Sequence, residues 1–194
     1  MPQQRPLRYN NGAVLLHWLT ALVVVAQVIV GFMFVNMERG PTRSEMFTVH
    51  KTLGATILLL ALVRLAWRVA NPPPPYPPEL SRWERVAATW NHRIFYVLLI
   101  ALPLTGLLAV SGGASTDGRT TTPLLGGIPL PLIPGVSKDA GGQAGSAHVV
   151  LVFITLALLI LHIAAALKHQ VQRNRAAGRM PPFKALGEEA VPAP

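Results

Sequence analysis

The chain has 194 residues, of which 51% are apolar and only 13% are charged, and its formal net charge is +9. This charged fraction is roughly half that of an ordinary soluble domain, which argues against a water-soluble globule. The absence of cysteine excludes disulfides, thiolate metal sites, covalent c-type haem attachment and iron–sulfur clusters. In so apolar a chain the positive charge indicates basic residues at a membrane surface, so membrane lipid is an expected partner and nucleic acid is not.

Four apolar runs approach or exceed the roughly 20 residues that a helix needs to cross the hydrocarbon of a bilayer. These runs cover residues 13–35, 46–69, 94–110 and 147–167. We therefore predict an all-α, integral membrane four-helix bundle that forms one domain over residues 1–180, followed by a cytoplasmic tail at 181–194. The predicted helices cover about 13–35, 46–69, 90–110 and 147–170. The first run is too long for the apolar core of a signal peptide and is followed by no small-residue cleavage site, so we predict a retained helix.

Two proline-rich connections separate these runs. Residues 71–78 read Asn-Pro-Pro-Pro-Pro-Tyr-Pro-Pro, which predicts an extended segment at the surface. Residues 111–146 are rich in Gly, Ser, Thr and Pro, and their apolar part contains too many prolines to cross a bilayer as a helix. We expect this second connection to lie along one membrane face.

Basic residues are distributed unequally between the two sides of the predicted bundle. Twelve lie on the side of the termini: Arg5, Arg8, Arg64, Arg68, Arg82, Arg85, Arg93, Lys168, Arg173, Arg175, Arg179 and Lys184. Five lie on the opposite side: Arg39, Arg43, Lys51, Arg119 and Lys138. Because cytoplasmic flanks of membrane helices carry the excess of Lys and Arg, both termini are predicted to be cytoplasmic.

All six histidines lie within the apolar runs or at their ends, where an ionisable residue is a candidate functional residue. They are His17, His50, His92, His148, His162 and His169. His148 and His162 are 14 residues apart on one helix, which gives a rise of about 21 Å and places both close to one face. Since successive helices alternate in direction, His148 is expected at the depth of His50 and His162 at the depth of His17. The sequence thus predicts two cross-helix pairs, one near each membrane surface.

Paired neutral imidazoles on facing helices, surrounded by apolar side chains, are the arrangement that a b-type haem requires. We predict two haems b, the inner one bound by His17 and His162 and the outer one by His50 and His148. Two stacked haems would provide an electron path across the membrane. One alternative is that these histidines make separate interhelical hydrogen bonds. Another is zinc or copper, which is disfavoured because no carboxylate or thiol joins either pair.

Three further residues are candidates for contacts around the inner pair. His169 follows His162 by seven residues and lies about 10 Å nearer the cytoplasm, so it is either a quinone contact or an interfacial histidine. His92 is expected at the interface or against a haem propionate. Arg64 is a candidate propionate partner because guanidinium binds carboxylate in a bidentate fork, although positive-inside anchoring explains it nearly as well.

Together these motifs resemble the bacterial cytochrome b561 family. The resemblance rests on Arg8-Tyr9-Asn10, Leu16-His17-Trp18-Leu19, Val49-His50-Lys51-Thr52-Leu53-Gly54, Val63-Arg64-Leu65, the Pro-rich link, Ala101-Leu102-Pro103-Leu104-Thr105-Gly106 and the spacing of His148 and His162. It covers nearly the whole chain up to about Met180. It implies a multi-pass protein of the bacterial inner membrane with two haems b and the same pairing of ligands.

One branch of the family is similar to a superoxide oxidase, which implies electron transfer from periplasmic superoxide to ubiquinone as an exchangeable substrate. In that branch the residue matching His169 borders the quinone. This sequence departs from the branch in the Gly- and Pro-rich stretch at 111–146 and in having Gln170 after His169.

Three functions compete on this evidence. The leading hypothesis is an oxidoreductase of the superoxide:quinone type. The second is a membrane cytochrome b subunit that passes electrons between the quinone pool and a separate, for example periplasmic, redox protein. The third is a haem-free membrane protein such as a transporter, against which the lack of buried carboxylates and of broken helix pairs argues.

Overall fold

The computed structural model describes residues 8–172 and 175–181. Its four α-helices are α1, Asn11–Val35; α2, Pro41–Ala70; α3, Arg82–Ala114; and α4, Lys138–Val171. All four are long and apolar enough to cross a membrane, so the predicted all-α bundle of four membrane helices is confirmed. Arg5, Arg173, Lys184 and the tail beyond Pro181, which entered the topology and domain predictions, lie outside the described residues.

The helices are longer than the apolar runs because α2, α3 and α4 each begin with polar residues that precede the run. α3 begins at Arg82, where the Ser81 amide and hydroxyl both donate to Glu84 Oε2, at 3.0 and 2.7 Å. α4 begins at Lys138, where Ser137 Oγ accepts the Ala140 amide at 3.1 Å. Such caps satisfy amides that the first turn of a helix leaves without a partner.

The helices pack in chain order, α1 on α2, α2 on α3 and α3 on α4. Across the described residues α4 packs less closely on α1 and α2 than on α3, and we call this wider interface, which side chains bridge, the slot beside α4. Outward-facing side chains such as Leu22 and Ile160 are 67% and 68% exposed, as expected of a surface that faces lipid. The bundle thus combines closely packed neighbouring pairs with one wider interface.

A small hairpin connects α3 and α4. Strand β1, Thr121–Pro123, pairs antiparallel with β2, Pro129–Pro131, and a 3-10 turn over Leu125–Gly127 joins them. Gly126 and Gly127 have φ of 74° and 73°, a left-handed conformation that favours glycine. We call residues 121–131 the outer hairpin. It is anchored to α2, because Lys51 Nζ donates to Thr122 Oγ1 at 2.5 Å and the Leu125 amide donates to Thr52 Oγ1 at 2.9 Å.

At the opposite end of the bundle, Arg179 links three distant parts of the chain. The residue is 8% exposed, and its guanidinium donates to the carbonyls of Pro74 and Pro75 and lies 5.3 and 4.9 Å from the ring centroids of Tyr9 and Tyr76. The Tyr9 amide in turn donates to the Arg179 carbonyl at 3.1 Å. This Arg179 cluster places both ends of the described chain at one end of the bundle, together with the Pro-rich link.

Candidate functional site

The slot beside α4 contains two pairs of imidazole rings. The ring centroids of His17 and His162 are 6.3 Å apart, and those of His50 and His148 are also 6.3 Å apart. The first pair joins α1 to α4 and the second joins α2 to α4, which are the helices that the slot separates. The structure therefore brings together the two pairs that the sequence predicts, at opposite ends of α4.

The ring separation suits a metal centre between each pair. An imidazole nitrogen binds a metal ion at about 2 Å, and each ring extends beyond its nitrogen, so two opposed ligands of one metal have centroids roughly 6 Å apart. Direct hydrogen bonding between the rings would draw two nitrogens to about 3 Å, and in the part of the chain that the structure describes the imidazole nitrogens bond other partners instead. The residues present therefore fit a ligand inserted between the rings.

Each ring of the outer pair has one nitrogen engaged by the protein. His148 Nδ1 lies 2.9 Å from the Leu102 carbonyl and 3.2 Å from Thr105 Oγ1. Because a carbonyl only accepts, His148 Nδ1 carries the proton, and Nε2 has the lone pair that a metal needs. His50 Nε2 lies 3.2 Å from Gln27 Nε2, and His50 Nδ1 is buried with no hydrogen-bond partner in the described part of the chain. An unpartnered buried nitrogen indicates a missing ligand.

Two glycines leave space beside the outer pair. A Cβ at Gly31 would lie 3.3 Å from His50 Cε1, and a Cβ at Gly106 would lie 3.4 Å from His148 Cε1. The first distance is tighter than ordinary van der Waals contact and the second is at its edge, so a side chain larger than a methyl group at either position would press on an imidazole. The glycines thus allow the two rings to lie against the helix backbone.

The inner pair is more polar than the sequence predicts. Arg64 Nη2 lies 2.9 Å from His17 Nδ1, and because guanidinium only donates, this nitrogen is the acceptor. His162 Nδ1 lies 3.3 Å from Asn91 Nδ2. The ring centroid of His92 lies 5.8 Å from that of His162, so His92 is a neighbour of the inner pair. Its predicted role at the interface or against a haem propionate stays a prediction.

His169 lies in the last turn of α4, half-buried and seven residues beyond His162. Within residues 8–172 and 175–181, no group of three or more His, Asp or Glu side chains is arranged to bind a metal ion.

The family model described as prokaryotic cytochrome b561 matches residues 8–182. The chain belongs to this family. The resemblance predicted from the motifs is therefore confirmed, and membership implies a bacterial membrane protein that binds b-type haem and transfers electrons across the membrane.

Relatives in the family cover most of the chain. "Cytochrome b561 homolog 2" of Escherichia coli (strain K12) is 29% identical over 174 residues, which are 84% of this chain and 85% of the relative. "Probable superoxide oxidase CybB" of Yersinia pestis is 26% identical over 181 residues, 91% of this chain and 97% of the relative. "Cytochrome b561 homolog 1" of Escherichia coli (strain K12) is 28% identical over 186 residues, which are 90% of this chain and 97% of the relative.

Among the residues that contact the imidazoles, sequence reasoning missed the polar contacts of Gln27, Asn91 and Thr105 and the ring contacts of Phe34, Phe47 and Phe95. The contact of Gln27 could have been predicted, because Gln27 is an amide in the middle of an apolar run, where a polar group requires a partner. Asn91 and Thr105 gave no such signal, because Asn and Thr are ordinary residues at helix ends and in membrane helices.

Proposed function

We propose that this protein transfers electrons across the bacterial inner membrane from superoxide to ubiquinone through two b-type haems. His17 and His162 would bind the inner haem, and His50 and His148 the outer one. The observation that supports this proposal most directly is the presence of two pairs of imidazole rings at different levels of α4, each pair with its ring centroids 6.3 Å apart. When bound, the haems would supply the one-electron chemistry, which leaves ligation, burial and orientation to the protein.

The direction of transfer depends on the orientation of the bundle. The spacing of His148 and His162 corresponds to about 21 Å along α4, enough to place one site near each surface of a bilayer. With cytoplasmic termini, as the excess of Lys and Arg indicates, the His50–His148 end faces the periplasm. Superoxide is proposed as the donor there because one similar protein carries the name probable superoxide oxidase.

At the inner end, Arg64 is proposed to pair with a haem propionate. A histidine that binds iron through Nε2 carries its proton on Nδ1, and Arg64 can then no longer donate to that nitrogen. The guanidinium also lies 5.7 Å from the ring centroid of Tyr96, a contact that does not depend on the His17 nitrogen. A carboxylate is the partner that a buried guanidinium requires.

His169 is proposed as the residue that contacts the quinone and relays protons from the cytoplasm. Reduction of ubiquinone consumes protons as well as electrons, and an imidazole has two ring nitrogens, so it can accept a proton at one and donate from the other. The position of His169 in the last turn of α4, about 10 Å from the level of His162, places it between the inner pair and the end of the bundle.

An optical experiment on the detergent-purified chain tests this function. We expect reduced-minus-oxidised spectra and pyridine haemochrome analysis to give about two haems b per chain. Superoxide should reduce them, and ubiquinone should reoxidise them. Two haems that do not respond to superoxide would favour a cytochrome b subunit with a separate redox partner, and a folded, colourless protein would contradict haem binding altogether.

Gln27 is proposed to position His50 and to tune the outer haem. Gln27 Oε1 is buried without a partner in the described residues, and half a turn of the amide brings this oxygen towards His50 Nε2. A hydrogen bond from the imidazole N–H to that oxygen makes the ring a stronger donor to ferric iron. Replacing Gln27 by Leu should therefore raise the midpoint potential of the outer haem while both haems are retained.

A redox titration followed by optical spectroscopy measures this potential. Gln143→Leu is the matched control, because Gln143 is an exposed amide on α4 and no contact joins it to an imidazole. An unchanged potential in Gln27→Leu, with both haems present, would contradict the role of Gln27 and leave the ligand assignment intact.

A further inference from the structure

The outer hairpin has the composition of a segment that contacts lipid. No charged residue occurs between Arg119 and Lys138. At its tip, Leu125 is 50% exposed and Ile128 is 61% exposed. Thr122, the residue that faces α2, is by contrast almost fully buried, at 2%. The hairpin therefore has one face packed on the bundle, and the apolar side chains at its tip are at least half exposed.

The backbone of the hairpin has few donors left for water. Prolines at 123, 129, 131 and 134 have no amide hydrogen. Five backbone amides of this connection donate within the protein, at 2.8 to 3.1 Å. The Leu124 amide donates to the Ile128 carbonyl, the Gly127 amide to the Leu124 carbonyl and the Leu132 amide to the Thr120 carbonyl. The Leu125 amide donates to Thr52 Oγ1, and the Ile133 amide to Ser111 Oγ. Non-helical backbone is tolerated at membrane depth where it packs against protein, and the bonds to Thr52 and Ser111 hold this backbone against α2 and α3.

The depth of the hairpin follows from its contact with α2. The Leu125 amide bonds Thr52, and Thr52 is 15 residues from Trp67 along the same helix, a rise of about 22 Å. Trp67 lies at the opposite end of the bundle, where its Nε1 donates to Asn10, and indole rings mark the membrane interface. With the Trp67 indole at one interface, a hydrocarbon core about 30 Å thick would extend beyond the level of Thr52.

We propose that the outer hairpin is a membrane-inserted element whose tip, Leu125 and Ile128, contacts the acyl chains of the adjacent leaflet. Lipid is the occupant because the tip lies within the hydrocarbon depth and continues the apolar surface that the helices present to the bilayer. The Lys51–Thr122 and Thr52–Leu125 bonds set this depth by fixing the hairpin to α2. The proposal does not depend on the haems or on the donor.

Spin labelling of the full chain in liposomes tests the insertion, since the absence of native cysteine allows one label at a chosen position. The variants are Ile128→Cys and Leu125→Cys, so that either can serve if the other fails to fold. We expect the label on the tip to collide readily with oxygen, which dissolves in lipid, and poorly with a water-soluble nickel chelate. The ratio of the two collision rates should match that of Ile160→Cys on the lipid face of α4, which is 68% exposed.

Asp117→Cys is the aqueous control on the same connection. Its side chain is 47% exposed, and the hydrogen bond from Arg119 lowers the pKa of the Asp117 carboxyl, which marks this position as a charged one. If the label at the tip collided with the nickel chelate as often as the label at residue 117, the proposal would be wrong. Protection of the tip from both oxygen and nickel would also overturn it, and would indicate burial against a second copy of the chain, to be detected as a cross-linked dimer.

Discussion

Replacement of His148 by Ala should leave the purified protein with about one haem b per chain instead of about two. The change removes the ring that faces His50 at 6.3 Å, so the proposed outer site would keep one of its two histidines. The inner pair is about 21 Å away along α4 and keeps both of its rings. Pyridine haemochrome analysis of the variant measures the loss, and the remaining optical spectrum should be that of the inner haem.

His169→Ala is the control for this experiment, because His169 lies on the same helix and is not one of the four proposed ligands. It should retain both haems and change only the reaction with quinone. If His148→Ala lost both haems while remaining folded, or retained both, the pairing of His148 with His50 would be wrong.

Replacement of Gly112 by Leu should lower the free energy of unfolding by about 3 kcal/mol, the upper part of the range for an overpacked core. A Cβ at Gly112 would lie 2.5 Å from Gly141 Cα and 2.8 Å from the Ser137 carbonyl. Both are backbone atoms of α4 or its cap, so no side-chain rotation can relieve the contact, and α3 and α4 must move apart. Thermal unfolding in detergent, followed by circular dichroism, measures the effect.

Gly113→Leu is a close control, since it makes the same change one residue further along α3, where a Cβ meets no atom within 4 Å. Leu has the higher helix propensity, so this variant should be as stable as the parent chain or more stable by up to about 1 kcal/mol. Equal losses in the two variants would mean that the helices do not approach at Gly112 as described.

Hydropathy was sufficient to predict four membrane helices, because a bilayer requires long apolar runs and tolerates few charges. It could not find where α3 and α4 begin, because their first turns are polar. The capping box of Ser81 and Glu84 was readable in the sequence and would have extended α3. For α4, Gly141, Gly142 and Gly145 argue against a helix locally, and the close contact of Gly141 with Gly112 explains why a helix forms there.

The pairing of the histidines was predictable because helix periodicity and alternating helix direction fix both face and depth. The contacts of each ring were not, since they depend on how neighbouring helices rotate about their axes. The bond from Arg64 to His17 and the approach of His92 to His162 are consequences of that rotation. Hydropathy also could not predict the fold of the outer hairpin. The prolines there exclude a helix, but they do not specify which strands pair.

The Arg179 cluster has a consequence for biosynthesis. Its guanidinium joins Tyr9, which precedes α1, to the Pro-rich link and to a segment that follows α4. Translation must therefore pass residue 179 before the cluster can close. Until then α4 is not held to the segment before α1 through this arginine. Insertion of a large planar molecule between α4 and the first two helices is thus compatible with a nascent chain, and synthesis of residue 179 allows the cluster to close behind it.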